Sequence, residues 1–349
     1  MEALNIIMKK FLFIQTAFPG DAILTLPALE KLKESNPDSQ LDVLCIPSTQ
    51  EIFLAAPYVD NAIVIDKRGK QKSFFSLIKF AQELKKNNYD KIYSAHRSLR
   101  TSLLVLLSEV NESYGFSNAS LRYVYKNIIQ YELSKHEVQR NLDLIGFKYD
   151  DSSWRIKPFI KFSNEVVNKV DNFIKDVDTK NLIAFAPGSI WATKRYPIEK
   201  WNKIVNHFLK NRFSVVLIGG KDDEQLCSSI SESSDEKVFN AAGKFSIVES
   251  INLLTRCKLL ISNDSAPTHF GMCSGIKVLT IYCSTIPGFG FYPYLYGSRF
   301  VSFDKLDCKP CGIHGYKECP LDHFNCANKL SENEVLRIAE EMLNEHTGS

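Results

Sequence analysis

The sequence predicts an α/β protein built from two doubly wound domains, each a parallel sheet covered by helices. Three observations predict it. The chain has 349 residues, about twice the size of a common single domain. Short apolar runs alternate with stretches of helical periodicity along nearly its whole length. The alternation pauses once, in the more polar stretch 150–178, and then restarts.

The first half opens with an apolar run, Phe11–Ala17, closed by a turn at Pro19-Gly20, and Ala22–Glu34 then carries apolar residues at helical spacing. Leu41–Ile46, Ala62–Ile65 and Lys91–Ala95 read as strands, with helices over Phe74–Lys86 and Thr101–Val110. After the pause, Leu182–Ala186 reads as a strand, Ile198–Lys210 as a helix, and Phe213–Ile218 as a strand ending in Gly219-Gly220. Ser246–Arg256 reads as a helix, and Leu259–Ser262 and Val278–Tyr282 as strands. A Gly-, Pro- and Cys-rich segment runs from there to Cys326, and a helix over Glu332–Leu343 follows. The expected domains are 1–165 and 175–330, with 331–349 a C-terminal helix packing back on the first domain. Ligands of such sheets bind at the carboxyl ends of the strands. Two of them face one central cleft, so the informative residues are those just after strands.

Composition narrows the function. Apolar residues at 44% and charged residues at 24% suffice for two cores. A net charge of +3 gives no reason to expect nucleic acid as a partner. The charge is uneven, however. Lys67 to Lys126 holds twelve Lys or Arg against four acids, Glu83, Asp90, Glu109 and Glu112. That excess is either a set of solvated helix faces or an attraction for an anionic acceptor or membrane surface. No stretch is long enough to span a bilayer. The apolar run after Lys9-Lys10 breaks at Pro19-Gly20-Asp21 with no small-residue cleavage site, so a signal peptide is not expected. Met8 is an alternative start. Of nine cysteines, Cys45, Cys227, Cys257, Cys273 and Cys283 lie in or beside apolar segments and read as buried thiols, as suits a reducing, cytoplasmic compartment.

Five segments carry chemistry. In Thr16–Asp21, Gly20 allows a tight turn or positive φ, and Asp21 falls near a helix N-terminus, where it either caps free amides or acts as a general base. Pro187–Pro197 joins a glycine, the hydroxyls of Ser189 and Thr193 and the cations Lys194 and Arg195 ahead of a helix, a composition suited to phosphate oxygens or to a solvated loop. Ser262–His269 opens a helix of small residues whose first amides suit a diphosphate, while Asp264 suits sugar hydroxyls. His269, one turn in, is either packed in the core or part of the site. Asp222, after Gly219-Gly220, is a candidate for ribose hydroxyls or a simple helix-dipole partner. Cys308, Cys311, Cys319 and Cys326 begin with Cys-x-x-Cys and read either as a structural zinc site, with His314 and His323 in competition, or as free thiols.

No Gly-x-Gly-x-x-Gly follows a strand, and no Walker glycine loop or Gly-x-Ser-x-Gly elbow exists. No Asp-x-Asp pair for a nucleotide-sugar metal follows an expected strand, which favours Lys and helix amides as the leaving group's counter-charge.

In series, these segments resemble the lipopolysaccharide heptosyltransferases, glycosyltransferase family 9. The resemblance covers nearly the whole chain. It rests on Phe18-Pro19-Gly20-Asp21-Ala22-Ile23 with Leu26-Pro27-Ala28-Leu29, on Pro187-Gly188-Ser189 through Lys194-Arg195-Tyr196-Pro197, on Asn263-Asp264-Ser265 with His269, and on the Cys308–Cys326 tail. Arg97, Arg100, Tyr114-Gly115-Phe116 and His136 with Arg140-Asn141-Leu142 add to it. It implies a GT-B architecture of two Rossmann-like domains, an ADP-sugar donor, typically ADP-heptose, as co-substrate, and inversion at the anomeric carbon with no cofactor or metal required. It implies Asp21 as general base, and Gly20, Arg97, Arg100 and His136 at the acceptor. It places Ser189, Thr193, Lys194, Asp222, Asp264, Ser265, Ala266, Pro267, Thr268 and His269 at the donor. Ser265-Ala266-Pro267 departs from the Thr-Gly or Ser-Gly common in the family, and Pro267 removes one amide donor. The implied acceptor is a lipid-linked anionic glycan of the lipopolysaccharide core, reached by peripheral contact with the cytoplasmic face of the inner membrane. Two rivals remain: a same-fold transferase using another nucleotide sugar and glycan, and a non-catalytic nucleotide- or sugar-binding protein. A donor panel separates the first. Tight ADP binding without turnover marks the second.

Overall fold

The structure is a computed structural model and describes residues 8–234 and 236–345. The chain divides into two compact units, residues 1–161 and 162–349.

The first unit runs β1 (Lys10–Ile14), α1 (Pro19–Ser35), β2 (Gln40–Cys45), α2 (Gln50–Leu54), β3 (Asn61–Val64), α3 (Phe74–Lys85), β4 (Lys91–Ser94), α4 (Leu99–Ser108), β5 (Glu112–Phe116), β6 (Asn127–Ile129) and α5 (Glu137–Leu144). Its six strands are all parallel, in the order β3-β2-β1-β4-β5-β6. β1 is central, so both its faces are covered. That is why Phe11-Leu12-Phe13-Ile14 is an unbroken apolar run and not an alternating one. Ser73 and Ser98 cap α3 and α4, each accepting an amide three residues on.

The second unit runs α6 (Asn164–Phe173), β7 (Leu182–Ala186), α7 (Ile198–Lys210), β8 (Ser214–Leu217), α8 (Glu224–Glu232), β9 (Phe239–Asn240), α9 (Ile247–Leu254), β10 (Leu259–Asn263), α10 (Ala266–Ser274), β11 (Lys277–Tyr282), β12 (Arg299–Ser302), α11 (Asn325–Asn328) and α12 (Glu332–Asn344). Its order, β12-β11-β10-β7-β8-β9, repeats the topology of the first. In each unit the strand order reverses beside the first strand, between β1 and β4 and between β7 and β10. Doubly wound sheets bind ligands at this switch, where diverging connections leave a crevice.

The expected α/β class and paired doubly wound sheets are present. Two placements differ. The polar stretch read as a linker contains α6, which belongs to the second unit: Phe173 meets Phe245 edge-on at 5.1 Å, and Lys169 pairs with Glu249 at 2.8 Å. The final helix, expected on the first domain, buries Val335, Ile338, Ala339 and Met342 in the core of the second. It is tied there through the segment before it, because Tyr196 Oη donates to the Leu330 carbonyl at 2.8 Å and Lys200 Nζ to that of Asn328 at 2.7 Å. Positions 346–349 of that expected segment, and the residues before the alternative start at Met8, lie outside the described residues.

Candidate active site

In the first unit, the loops after β1 and β4 flank the switch. Asp21 is the third residue of α1, and its Oδ2 accepts the Phe18 amide at 3.2 Å. Burial and the nearby Glu137 carboxylate raise its pKa to about 7, against the opposing pull of the Phe18 amide and Arg97. Glu137 is held by a buried ion pair: Arg140 Nη1 reaches its Oε2 at 2.9 Å, with the two side chains 1% and 5% exposed. Arg140 also donates to Tyr131 Oη and to the carbonyls of Glu132 and Leu133. Both Arg97 and Arg140 lie over the Tyr131 ring, at 4.2 and 4.6 Å. Asn141 donates to the Leu24 carbonyl at 3.2 Å and ties α5 to α1. Arg140→Ala would leave the buried Glu137 carboxylate without its ion-pair partner, held by the Tyr131 hydroxyl at 3.1 Å. It is expected to cost about 3–5 kcal/mol of stability, read as a lower midpoint in urea denaturation.

Lys67, His96, Arg97 and Arg100 gather beside this loop. Lys67 Nζ donates to Thr16 Oγ1 at 2.7 Å and to the Thr16 carbonyl at 3.0 Å. Burial and Arg100 pull the Lys67 pKa down to about 8, and burial with Lys67 and Arg97 pulls that of His96 down to about 3. Among the described residues, Lys67, Arg97 and Arg100 form no ion pair with a carboxylate. Crowded cations without counter-charges make a site for an anion.

In the second unit, the loops after β7 and β10 are stitched together. Asn263 Nδ2 donates to the Pro187 carbonyl at 2.6 Å, and Asn263 Oδ1 accepts the Tyr196 amide at 3.1 Å. Lys194 Nζ lies 2.7 Å from Asp264 Oδ2, with the two side chains 13% and 11% exposed. Thr285 Oγ1 donates to the same oxygen at 2.6 Å. α10 begins at Ala266, and no side chain caps it, since Ser265 Oγ turns instead to the Gly188 carbonyl at 3.3 Å. Pro267 falls in the first turn, where helix amides lack intrahelical partners, so its missing N–H breaks no ladder bond. His269 is buried. Desolvation and Lys194 pull its pKa down to about 4 against Asp264, so the ring is neutral near pH 7, and its Nδ1 has no hydrogen-bond partner. An uncapped helix start beside a lysine suits an anionic ligand with hydroxyls.

The sequence model of glycosyltransferase family 9 (heptosyltransferase) matches residues 77–320. The chain belongs to glycosyltransferase family 9. It is 25% identical over 341 residues to lipooligosaccharide heptosyltransferase 2 of Campylobacter jejuni, covering 94% of this chain and 97% of that one. It is 24% identical to lipopolysaccharide heptosyltransferase 3 of Escherichia coli, covering 77% and 80%. Among solved structures, a family 9 glycosyltransferase from Veillonella parvula superposes with TM-score 0.85 at 25% identity, covering 97% and 98%. E. coli ADP-heptose lps heptosyltransferase II does so with TM-score 0.76 at 19% identity, covering 96% and 98%, a likeness of fold. The protein is therefore a glycosyltransferase of GT-B architecture.

Against this family 9 frame, Asp21, Arg97, Lys194, Asp264, Ser265, Ala266, Pro267, Thr268 and His269 all stand at the switch points of their units. The other named residues make contacts of their own within the fold. Gly20 lies buried within the first turn of α1 and is not among the glycines with positive φ. His136 is 1% exposed and works as a helix cap, its Nδ1 accepting the Val138 amide at 3.2 Å. Arg100 spends its guanidinium on the carbonyls of Gln71 and Lys72. Thr193 is 3% exposed, and its Oγ1 accepts the Tyr316 amide at 2.8 Å and the Ser284 hydroxyl at 3.0 Å, so it anchors the Cys-rich segment. Asp222 is exposed, whereas Asp223 turns inward. Asp223 Oδ2 accepts the Gly220 amide at 3.0 Å, and a Cβ on Gly188 would come within 2.1 Å of its Oδ1. The glycine after β7 is thus required by the acid after β8.

Ser189 contributes its carbonyl, which accepts Arg195 Nε at 2.7 Å. Glu137 and Thr285 were not foreseen. The position of Thr285, just past β11 in Ser284-Thr285, was the available signal for one of them. Among the described residues, no three His, Cys, Asp or Glu are arranged to hold a metal ion. Cys308, Cys311 and Cys319 are partly exposed free thiols, and Cys326 is buried. His323 Nδ1 accepts the Asn325 amide at 3.0 Å and leaves Nε2 3.9 Å from Cys308 Sγ.

Proposed function

We propose that this family 9 enzyme transfers heptose from an ADP-sugar to a lipid-linked glycan of the lipopolysaccharide core, with inversion at the anomeric carbon. The observation that carries the reading is the division of chemistry between two switch points. One holds a carboxyl tuned to about pH 7 beside unpaired cations. The other holds a lysine and an uncapped helix start beside an acid. The second unit binds the donor, with Lys194 and the α10 amides on the diphosphate, Asp264 and Thr285 on sugar hydroxyls, and Asp223 at the ribose. In the first unit, Arg97 and Lys67 attract the acidic groups of the acceptor. Asp21 takes the proton from the attacking hydroxyl as it bonds to C1, and the C1–O bond to the diphosphate breaks on the opposite face. The ADP leaves with the bonding pair, compensated by Lys194 and the helix amides. No metal enters this scheme. The reading places the enzyme in the cytoplasm, where the nucleotide sugar is supplied.

The test is a ligand panel. ADP is expected to raise the melting temperature more than UDP or GDP, and ADP-heptose to be consumed with a core-glycan acceptor. Stabilisation by UDP or GDP alone would transfer the assignment to another nucleotide sugar. Stabilisation by ADP-heptose without turnover on any core acceptor would overturn the proposed reaction.

A further inference from the structure

Lys194 stands in a single 3₁₀ turn, Ala192–Lys194, after β7. One turn has little stability of its own, so its geometry comes from what it is tied to. The tie is the tip of the Cys-rich segment. The Thr193 amide donates to the Tyr316 carbonyl at 3.1 Å. The Thr193 hydroxyl accepts the Tyr316 amide at 2.8 Å and the Ser284 hydroxyl at 3.0 Å, and donates to the Tyr316 carbonyl at 3.2 Å. Its proton and both its lone pairs are therefore in use. Beside it the His314 ring stacks on that of Trp191, their centroids 6.3 Å apart.

Gly315 lies among these contacts with φ of +81°, in the left-handed region. A Cβ there would come within 2.9 Å of Thr193 Oγ1, 3.1 Å of Ser284 Oγ and 3.3 Å of Lys194 Cγ. The backbone of the tip thus lies against the stem of the lysine, a side chain with much rotamer freedom to lose. The tip is also tied to the loop after β11, where the Cys311 amide donates to the Ser284 carbonyl at 2.8 Å. Lys194 and Thr285 both reach Asp264 Oδ2, at 2.7 and 2.6 Å. Each directly follows a member of the Thr193–Ser284 hydrogen bond in the chain. That buried bond sets the spacing of the lysine and the threonine about the acid.

We propose that Thr193, Ser284 and Gly315 are positioning residues, which with the 311–316 tip hold the Lys194 ammonium in place for the leaving diphosphate. The proposal rests on the reading of Lys194 given above. A fixed cation needs no reorganisation as charge develops on the leaving group, so loosening it lowers kcat more than it lowers donor affinity.

Turnover of ADP-heptose with a core-glycan acceptor tests it. T193V keeps the shape of the side chain and removes all three hydroxyl bonds. It should lower kcat about 10–100-fold and leave the donor KM within about threefold of the parent's. T193S keeps the hydroxyl and should bring kcat back near the parent's. G315A should act as T193V does. Added to K194A, T193V should change turnover little, because the tip acts through the lysine. S284A breaks a single hydroxyl bond and carries the same comparison if T193V does not fold. An equal fall on the parent and K194A backgrounds would mark a merely structural role and overturn the proposal. Parental turnover in K194A would overturn the reading of the lysine and the proposal together. An impaired K194A beside a parental T193V or S284A would overturn the proposal alone.

Discussion

Asp21→Asn is expected to lower turnover by roughly 10²–10⁴ while leaving ADP binding close to that of the parent. The amide keeps the size of the side chain and cannot take a proton. ADP is assigned to the other unit, so its thermal shift should persist. The pH dependence carries a second signature. The Asp21 pKa is raised to about 7, chiefly by burial, and the base is active as the carboxylate. In the parent, kcat/KM should therefore rise with pH through about 7 and then level off. In Asp21→Asn this limb should vanish. Stability runs the other way. A carboxyl whose folded-state pKa exceeds its ordinary value, here 3.8, is most favourable when protonated. Its contribution is complete below that value and is lost as pH rises through about 7. Asp21→Asn should then melt higher than the parent above pH 7, by a margin that shrinks toward pH 4. Near-normal turnover of Asp21→Asn would remove the carboxylate from the mechanism.

Lys194→Ala is expected to lower turnover by about 10²–10³, because a preorganised charge on the leaving group is worth about 3–4 kcal/mol in the barrier. Donor affinity should also fall. The substitution has a structural cost too. Asp264 is 8% exposed, and without Lys194 the one remaining described hydrogen-bond partner of its carboxylate is Thr285 Oγ1. Leaving a buried carboxylate in that state costs about 1–3 kcal/mol. Lys194→Ala/Asp264→Ala should recover much of that stability and none of the activity. Melting curves beside turnover assays separate the two effects. A Lys194→Ala enzyme with parental turnover would mean that the helix amides alone compensate the diphosphate.

Much of the architecture was legible because it rests on local patterns. Leu182–Ala186 and Ile198–Lys210 match the expected ranges end to end, since a fully buried central strand and a strongly amphipathic helix write their periodicity into consecutive residues. β6 and β9 went unread: they are edge strands of three and two residues, too short to hold a period. α6 was hidden by its composition. Val170 is its one buried residue, so it looks like a linker until α9 is placed beside it. Within the site, Asp21, Lys194 and Asp264 could be named because each follows a strand end and falls within a motif that resembles the family. The roles of Thr193 and His136 could not. A hydroxyl or imidazole near a strand end looks the same in sequence whether it faces a ligand or is spent on a backbone amide.

The amino-acid order alone therefore determined two doubly wound units, the strand ends that matter and the family, because periodicity and short motifs are properties of neighbouring residues. The tertiary structure alone decided which acid turns toward Gly188, which carboxylate lifts the Asp21 pKa, which hydroxyl holds Asp264, and which unit the last helix completes. Those outcomes depend on burial and on charges brought together from distant parts of the chain, and the energy of each is set by the shape that encloses it.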